Sequence, residues 1–159
     1  MLVLLFSIAD VTYAATCDRV REIVAMPRLK PVPHAPPHFV GVFNYRGRIV
    51  PVVDLCMLVR GQPCRRRLST RIILADAPGE KDRPQVYGLM AERVTETLRL
   101  PGPDAREPSV FLPDAPYLGG IMTKDGEMIQ FVDLDRLPES LGVLPARAAA
   151  LPERSIDAD

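Results

Sequence analysis

The residue types that most often bind metals, histidine and cysteine, are scarce in this chain of 159 residues. His34 and His38 have the four-residue spacing that places two zinc ligands on one helical face. However, Pro36 and Pro37 lie between them and exclude a continuous helix. The neighbourhood offers no further ligands, so we interpret both histidines as loop residues and predict no metal site.

The three cysteines, Cys17, Cys56 and Cys64, are odd in number and lack a CxxC spacing. This pattern argues against a disulfide framework and favours reduced thiols in a cytoplasm. Cys56 follows a strand-like segment and has no histidine near it in sequence. We therefore interpret Cys56 as a small buried apolar residue and not as a nucleophile.

Two aspartates, Asp54 and Asp133, occupy equivalent places in two similar segments. A carboxylate that recurs in this way is best explained as a cap that accepts backbone hydrogen bonds where a strand ends. The chain also has no Ser-His-Asp order and no phosphate-binding glycine loop. The sequence predicts a protein that is not an enzyme and has no cofactor.

The single basic run covers residues 65–71, Arg-Arg-Arg-Leu-Ser-Thr-Arg. It could contact nucleic acid or include a phosphorylation site at Ser69, but a solvated loop at a hairpin tip is the favoured interpretation. The formal net charge is zero, and nine aromatic residues provide no clustered stacking platform. These features argue against a nucleic-acid partner and leave a protein-binding module.

The elements that would position such a module begin with residues 41–55, which read as a β-hairpin with Arg46-Gly47 at its turn. Residues 120–134 repeat this pattern 79 positions later. Two further blocks recur in the same order: residues 18–22 as 92–96, and residues 32–36 as 112–116. This order indicates an internal duplication with a seam near residues 60–70.

Short strand-like segments separated by turn signals predict an all-β architecture of small barrels or sandwiches. The apolar start of the chain is predicted to be a buried strand and not a signal sequence, and no run is long enough to span a membrane. Residues 17–26 suit either a helical turn or a bent strand. The other predicted elements are strands over 2–9, 11–15, 71–75 and 86–90, continuing over 93–100; an extended connector over 27–37; turns over 78–84; a proline-rich connector over 101–116; and short helices over 38–43 and 134–141, the second ended by Gly142.

The two repeats differ at the hairpin turn, where Arg46 in the first corresponds to Asp125 in the second. The shared fold therefore does not require this arginine. Glu22 recurs as Glu96, but only Glu22 has a candidate ion-pair partner, in Arg46. Partner binding and a structural salt bridge are both open interpretations of Arg46.

Several of these segments resemble the CheW family of bacterial chemosensory adaptors. The resemblance covers roughly residues 2–142, and its most specific part combines Asn-x-Arg-Gly with Pro-Val-Val-Asp-Leu. The matching segments are Phe6, residues 20–23, Val32-Pro33, residues 41–47, residues 49–55, Gly88-Leu89, residues 92–94 and residues 132–134.

The resemblance implies two tandem-duplicated, five-stranded SH3-like barrels packed together with short helices. We expect a single CheW-like domain over residues 1–142 and a flexible tail over 143–159. The expected barrel halves cover about 12–60 and 86–134 and are completed by strands from 1–9 and 70–77.

The resemblance also implies a non-catalytic adaptor that couples methyl-accepting chemoreceptors to a CheA-type histidine kinase. The expected location is the cytoplasm, with recruitment to membrane-associated receptor arrays but no insertion into the membrane. Other CheW-like proteins are further possible partners, and exposed apolar ends of the barrels are the expected kinase contacts. The pathway is open between flagellar chemotaxis, type IV pilus control and surface sensing. The receptor-binding positions implied by the resemblance are Val20, Glu22, Gly41, Asn44 and Arg46.

Overall fold

Segments rich in valine, isoleucine and aromatic residues form nine strands in the computed structural model, which describes residues 1–78, 85–100 and 110–141. Two short α-helices and one 3₁₀ turn, Cys17–Arg19, accompany them. The strands are β1 (Leu2–Ile8), β2 (Val11–Thr16), β3 (Val20–Ala25), β4 (Phe39–Tyr45), β5 (Arg48–Asp54), β6 (Arg71–Asp76), β7 (Val86–Arg99), β8 (Leu118–Lys124) and β9 (Glu127–Val132), and the helices are α1 (Leu55–Arg60) and α2 (Leu137–Ser140).

The strands form two units with the same internal order. In the first unit the order is β3, β6, the first half of β7, β5 and β4; in the second it is the second half of β7, β1, β2, β9 and β8. Each unit contains one parallel pair at the corresponding place, β5 with β7 and β2 with β9. The predicted duplication and the SH3-like barrel pair are confirmed. Among the described residues, no ladder joins β3 to β4 or β8 to β7, so neither sheet is closed by hydrogen bonds.

Strand β7 belongs to both units. Its residues up to Ala91 pair with β6, and from Glu92 onward it pairs with β1. Arg93, next to this change of partner, has a left-handed backbone with φ of 49°. A second link between the units is an ion pair between Arg19 Nε and Asp135 Oδ1 at 2.6 Å.

The hydrophobic core consists of two clusters. The larger cluster includes residues of both units. Val52 and Leu89 belong to the first unit, and Phe6 and Leu137 belong to the second unit and the helix that follows it. The smaller cluster lies within the second unit, around Phe131 and its neighbours on β1, β2 and β9. Because β1 contributes side chains to both clusters, the two units pack as one body.

The predicted strands and both predicted hairpins are confirmed, including their turns at Arg46-Gly47 and Asp125-Gly126. All four turn residues have positive φ, as in the tight turns that suit twisted hairpins. For residues 17–26 the sequence allowed a helical turn or a bent strand. The structure contains both, a 3₁₀ turn at Cys17–Arg19 and then the strand Val20–Ala25.

The helix predicted over residues 38–43 is wrong, because Phe39–Tyr45 forms strand β4. The β-branched and aromatic side chains of this segment pair with β5, and that pairing outweighs the helix-start signal of Pro36-Pro37. Instead, Phe39 N donates to Pro36 O at 2.9 Å in a turn that leads into the strand. The connector predicted as extended over 27–37 contains a turn at residues 33–34, where His34 has φ of 65°, and its one isolated bridge in the described chain joins Lys30 to Val42.

The two α-helices also differ from expectation. The helix predicted over 134–141 is confined to Leu137–Ser140, because residues 133–136 form a turn in which Leu137 N donates to Asp133 O at 3.0 Å. The helix Leu55–Arg60 was not predicted. Gly142 and the predicted tail, most of the turn over 78–84 and the first part of the connector over 101–116 lie outside the described residues.

The sequence predicted a solvated basic loop, but in the structure the first arginine of this loop is bound to two carboxylates. Arg65 donates from its backbone N to Glu92 Oε2 at 2.6 Å, and its Nη2 contacts both Glu92 Oε1 at 3.1 Å and Asp10 Oδ1 at 2.6 Å. Glu92 is almost fully buried, with its side chain 7% exposed. The loop is thus attached at the point where β7 changes sheets, while Arg66 and Arg67 are exposed.

None of the helices in the described segments has the length and apolar character needed to cross a membrane.

The buried Glu92 carboxylate predicts a pH-dependent contribution to stability. Burial raises its pKa, but hydrogen bonds and charge from Arg65 outweigh burial, so the net shift is downward. A carboxyl group with a lowered folded-state pKa stabilises the fold above its unfolded pKa, near 4.3, and that stabilisation is lost as the pH falls through the folded pKa. We expect Glu92→Gln to lower the free energy of unfolding by roughly 1–3 kcal/mol at pH 7.

The measurement is the free energy of unfolding from urea titrations. The difference in this free energy between wild type and Glu92→Gln should become smaller as the pH is lowered from 6 to 3. Glu96→Gln, at an exposed position of the same strand, is the control and should show no such narrowing. A constant difference across this range for Glu92→Gln would contradict the proposed ion pair.

Candidate functional site

The turn between β4 and β5 presents Arg46 at the tip of the hairpin. Asn44 Oδ1 accepts a hydrogen bond from Gly47 N at 2.8 Å, which closes the turn through a side chain. Arg46 has φ of 51°, a conformation in which arginine is uncommon. Asn44 therefore supports the turn geometry that projects Arg46.

Arg46 contacts Glu22 across the open side of the first unit, where edge strands β3 and β4 face each other without a ladder. Arg46 Nη2 lies 3.5 Å from Glu22 Oε2. The Tyr45 hydroxyl donates to the same oxygen, and the Arg46 guanidinium carbon lies 5.1 Å from the centre of the Tyr45 ring. The candidate ion pair is present, and Tyr45 joins it as a residue that the sequence did not indicate.

This cluster of Glu22, Tyr45 and Arg46 remains largely open to solvent. The Arg46 side chain is 74% exposed and that of Glu22 is 36% exposed. The hydrogen bond that the Tyr45 hydroxyl donates to Glu22 is the main cause that raises the pKa of Tyr45. A guanidinium held in place at such a surface can donate hydrogen bonds to a partner's carboxylate or carbonyl oxygen.

The equivalent place in the second unit has a different charge pattern. Glu96 and Asp125, the counterparts of Glu22 and Arg46, both line a cavity of about 270 Å³. The same folding pattern therefore brings the two equivalent positions together in both units, but with two carboxylates in the second. The Glu22–Arg46 ion pair is thus a property of the first unit and not a requirement of the fold.

Two of the predicted site residues have evident structural roles. Gly41 has φ of 141°, and a Cβ added there would lie 2.6 Å from Lys30 O, so only glycine allows the connector to approach β4 this closely. Val20 is half-buried and packs against the larger core, and its N–H donates to Cys17 O at the end of the 3₁₀ turn. Val20 lies on the strand that carries Glu22, and Gly41 lies on the strand that carries Asn44.

A separate buried cluster lies at the start of α1. Asp54 caps this helix as predicted: its Oδ1 accepts from Cys56 N at 2.9 Å and Met57 N at 3.1 Å, and its Oδ2 accepts from Cys64 N at 3.0 Å. Asp54, Cys56 and Cys64 are the one group in the described chain whose potential metal ligands lie within 4.8 Å of one another. The carboxylate oxygens already accept three backbone hydrogen bonds, which explains Asp54 as a cap. Cys56 is buried, as predicted.

Exposed apolar side chains mark the outer faces of the two hairpins. Ile49 on β5 is 66% exposed, and Met128, its counterpart 79 positions later on β9, is 70% exposed. On the second hairpin, Ile121 is also exposed, and the register places it on the same face as Met128. The strand alternation could have indicated these outward positions, because Val50 and Ile129 next to them are buried.

Residues 2–141, nearly the whole described chain, match the family model described as a CheW-like domain. The chain belongs to the CheW-like family. A crystal structure of the scaffolding protein TtCheW from Thermoanaerobacter tengcongensis is similar to this one, with a TM-score of 0.75, 26% sequence identity and coverage of 90% of each chain.

Curated proteins of the CheW-like family are similar over most of their length. The chemotaxis protein CheW of Rhizobium meliloti is 27% identical over 132 residues, which cover 82% of each chain. The chemotaxis protein CheW of Thermotoga maritima is 28% identical over 142 residues, which cover 89% of each chain. The resemblance inferred from the sequence is confirmed.

The close approach at Gly41 predicts that Gly41→Ala destabilises the protein by roughly 2–4 kcal/mol, since the new methyl group meets Lys30 O and the backbone is strained. Gly47→Ala is the matched control, because Gly47 has φ of 85° but open space around it, and it should cost only about 1–2 kcal/mol. Urea unfolding measures both. If both variants lost the same free energy of unfolding, the close approach of Lys30 O would not be what requires glycine at position 41.

Proposed function

We propose that this protein is a non-catalytic adaptor that couples methyl-accepting chemoreceptors to a CheA-type histidine kinase. The observation that carries the proposal is the exposed Glu22–Arg46 pair at the open side of the first unit, in a chain of the CheW-like family. The relatives are named as chemotaxis proteins, and the similar solved structure is described as a scaffolding protein.

The proposed receptor site consists of Val20, Glu22, Gly41, Asn44 and Arg46. Its chemistry suits the helical tip of a receptor cytoplasmic domain, because exposed ends of helices and their turns present carbonyl and carboxylate oxygens. Arg46 supplies the cationic donors, and Glu22 and Tyr45 restrict the positions that its side chain adopts. Val20, half-buried at the start of the strand that carries Glu22, supplies apolar surface.

The proposed kinase site is the outer face of the β8–β9 hairpin, which carries Ile121 and Met128. Exposed apolar side chains that share one strand face are typical of protein interfaces, and this face belongs to the unit without the Glu22–Arg46 pair. Separate surfaces on the two units would let one adaptor bind a receptor and a kinase together. Such an adaptor would work in the cytoplasm and be recruited to membrane-associated receptor arrays, where other CheW-like proteins are further candidate partners.

For the receptor site, we expect Arg46→Ala to lose capture of a receptor cytoplasmic fragment while still capturing the kinase. The measurement is a pull-down with purified wild type and variant and with the receptor fragment and CheA-like kinase from the same genome. Asp125→Ala, at the equivalent turn of the second unit, is the control and should keep both partners. Arg46→Ala should lower the free energy of unfolding by less than about 1 kcal/mol, because exposed ion pairs contribute little.

A large loss of stability in Arg46→Ala would make the arginine structural and would contradict its assignment to the receptor site. Failure of the wild type to bind either partner would contradict the adaptor function itself while leaving the family assignment intact.

For the kinase site, we expect Met128→Glu to lower kinase capture at least 10-fold while receptor capture persists, because it places a charge in the centre of an apolar contact. Leu68→Glu is the matched control, since Leu68 is 97% exposed and lies outside both hairpins. Equal kinase capture by wild type and Met128→Glu would exclude this face as the kinase site.

A further inference from the structure

Two of the three cysteines lie in direct contact inside the first unit. Cys64 Sγ is 2.7 Å from Cys56 Sγ, and both residues are buried. The sulfur–sulfur bond of a disulfide measures about 2.05 Å, so little movement would bring these sulfurs to bonding distance. The third cysteine, Cys17, is half-buried on the 3₁₀ turn.

The backbone around both cysteines is fixed by one side chain. The Asp54 carboxylate accepts hydrogen bonds from Cys56 N through Oδ1 and from Cys64 N through Oδ2. The chain between them leaves α1 at Gly61, whose φ of 75° and hydrogen bond to Met57 O turn it back toward Asp54. The sulfur contact is therefore built by the helix cap and the turn together.

The segment after Cys64 is anchored as well, because Arg65 N donates to the buried Glu92 carboxylate at 2.6 Å. Cys64 is thus held from both sides, and its position does not depend on the exposed part of the basic loop. A bond between the sulfurs would close a short ring around α1 without moving either anchor.

The reduced pair is stable as it stands. Besides the Cys56 sulfur, the single Cys64 thiol proton has two oxygen acceptors within reach: Asp54 Oδ1 lies 3.0 Å and Met90 O 3.5 Å from Cys64 Sγ. The hydrogen bond to Cys56, followed by burial, raises the pKa of Cys64, which keeps this thiol protonated. Oxidation would remove the Cys64 proton but would leave Asp54 its three backbone donors, so no buried polar group would lose its last partner.

We propose that Cys56 and Cys64 form an intramolecular disulfide when the protein reacts with a peroxide. In contrast to the interpretation from the sequence, Cys56 then acts as the nucleophile: its sulfur attacks one peroxide oxygen, the O–O bond breaks, and the leaving hydroxide takes the Cys56 proton and becomes water, which gives a sulfenic acid. Cys64 sulfur then attacks Cys56 sulfur, the S–O bond breaks, and the hydroxyl group leaves as water with the Cys64 proton. The two thiols lose two electrons and two protons, and hydrogen peroxide is reduced to two waters.

The same residues suit a metal ion less well. Two thiols and one carboxylate are fewer than the four ligands of a structural zinc site, and the Asp54 oxygens are already engaged by backbone N–H groups. A pair of sulfurs in contact needs no further ligand to form a bond. The inference is independent of the proposed adaptor function, because its test measures only thiol chemistry.

The test treats the purified full chain with hydrogen peroxide, blocks remaining thiols under denaturing conditions and maps tryptic peptides without reduction. Cleavage at Arg48, Arg60 and Arg65 separates peptide 49–60, with Cys56, from peptide 61–65, with Cys64, while Cys17 stays in peptide 1–19. We expect peptides 49–60 and 61–65 joined, a loss of about 2 Da in the intact mass, reversal by a thiol reductant and a melting temperature that rises on oxidation.

Cys17→Ser should oxidise as the wild type does, and Cys64→Ser should lose the linked peptides. If Cys64→Ser does not fold, the wild-type and Cys17→Ser maps decide the question. Recovery of Cys56 and Cys64 as free thiols or sulfinic acids, linkage of either to Cys17, or a purified protein whose two thiols are blocked by one bound metal ion would each overturn the proposal.

Discussion

A single strand shared by two sheets is the constraint on which the rest of the structure depends. β7 pairs with β6 up to Ala91 and with β1 from Glu92 onward, so neither unit has its full set of strands without it. The change of partner places a buried carboxylate, Glu92, where the sheets meet, and Arg65 neutralises it from the preceding loop. Because this ion pair also involves Asp10 of the turn between β1 and β2, three separate parts of the chain are fixed at one point. The hairpins of both units, which carry the proposed partner surfaces, take their relative positions from this junction.

The internal repeat shows which features both units share and where they differ. Positions that agree between the units have structural explanations: Asp54 caps α1, and Asp133 accepts from Asp135 N at the corresponding place. The turn position at which the units differ, Arg46 in the first and Asp125 in the second, lies at the surface. Both adopt the same left-handed turn, with φ of 51° and 50°, although their charges are opposite. The turn therefore accepts either residue, and the choice of arginine is explained by its contacts and not by the backbone.

The sequence was sufficient for the features that rest on local chemistry and repetition: the two hairpins, the aspartate caps and the equivalence of the units. It failed where contacts between distant segments decide. Phe39–Tyr45 is a strand because β5 lies beside it, although Pro36-Pro37 is a common helix start. Three contacts depend on which segments meet in space, and the periodicity of a sequence does not contain that information. They are the hydrogen bond of Tyr45 in the ion pair, the attachment of Arg65 and the contact between Cys56 and Cys64. Glu22 and Arg46 could be paired in advance because the repeat showed that only one unit combines these charges.

The order of strands has a consequence for how the protein is made. Of the described hairpins, β1 with β2 is made before the others; it belongs to the second unit, and its outer partners are β7 and β9 near the other end of the described chain. β3 to β6, made in between, need only the first half of β7 to complete their own unit. β1 thus has one uncovered edge while β3 to β6 are synthesised, for several seconds at roughly 5–20 residues per second, until β7 pairs with it. An unpaired strand edge of this kind can pair with another chain, so the nascent chain is open to aggregation at β1 until β7 covers that edge.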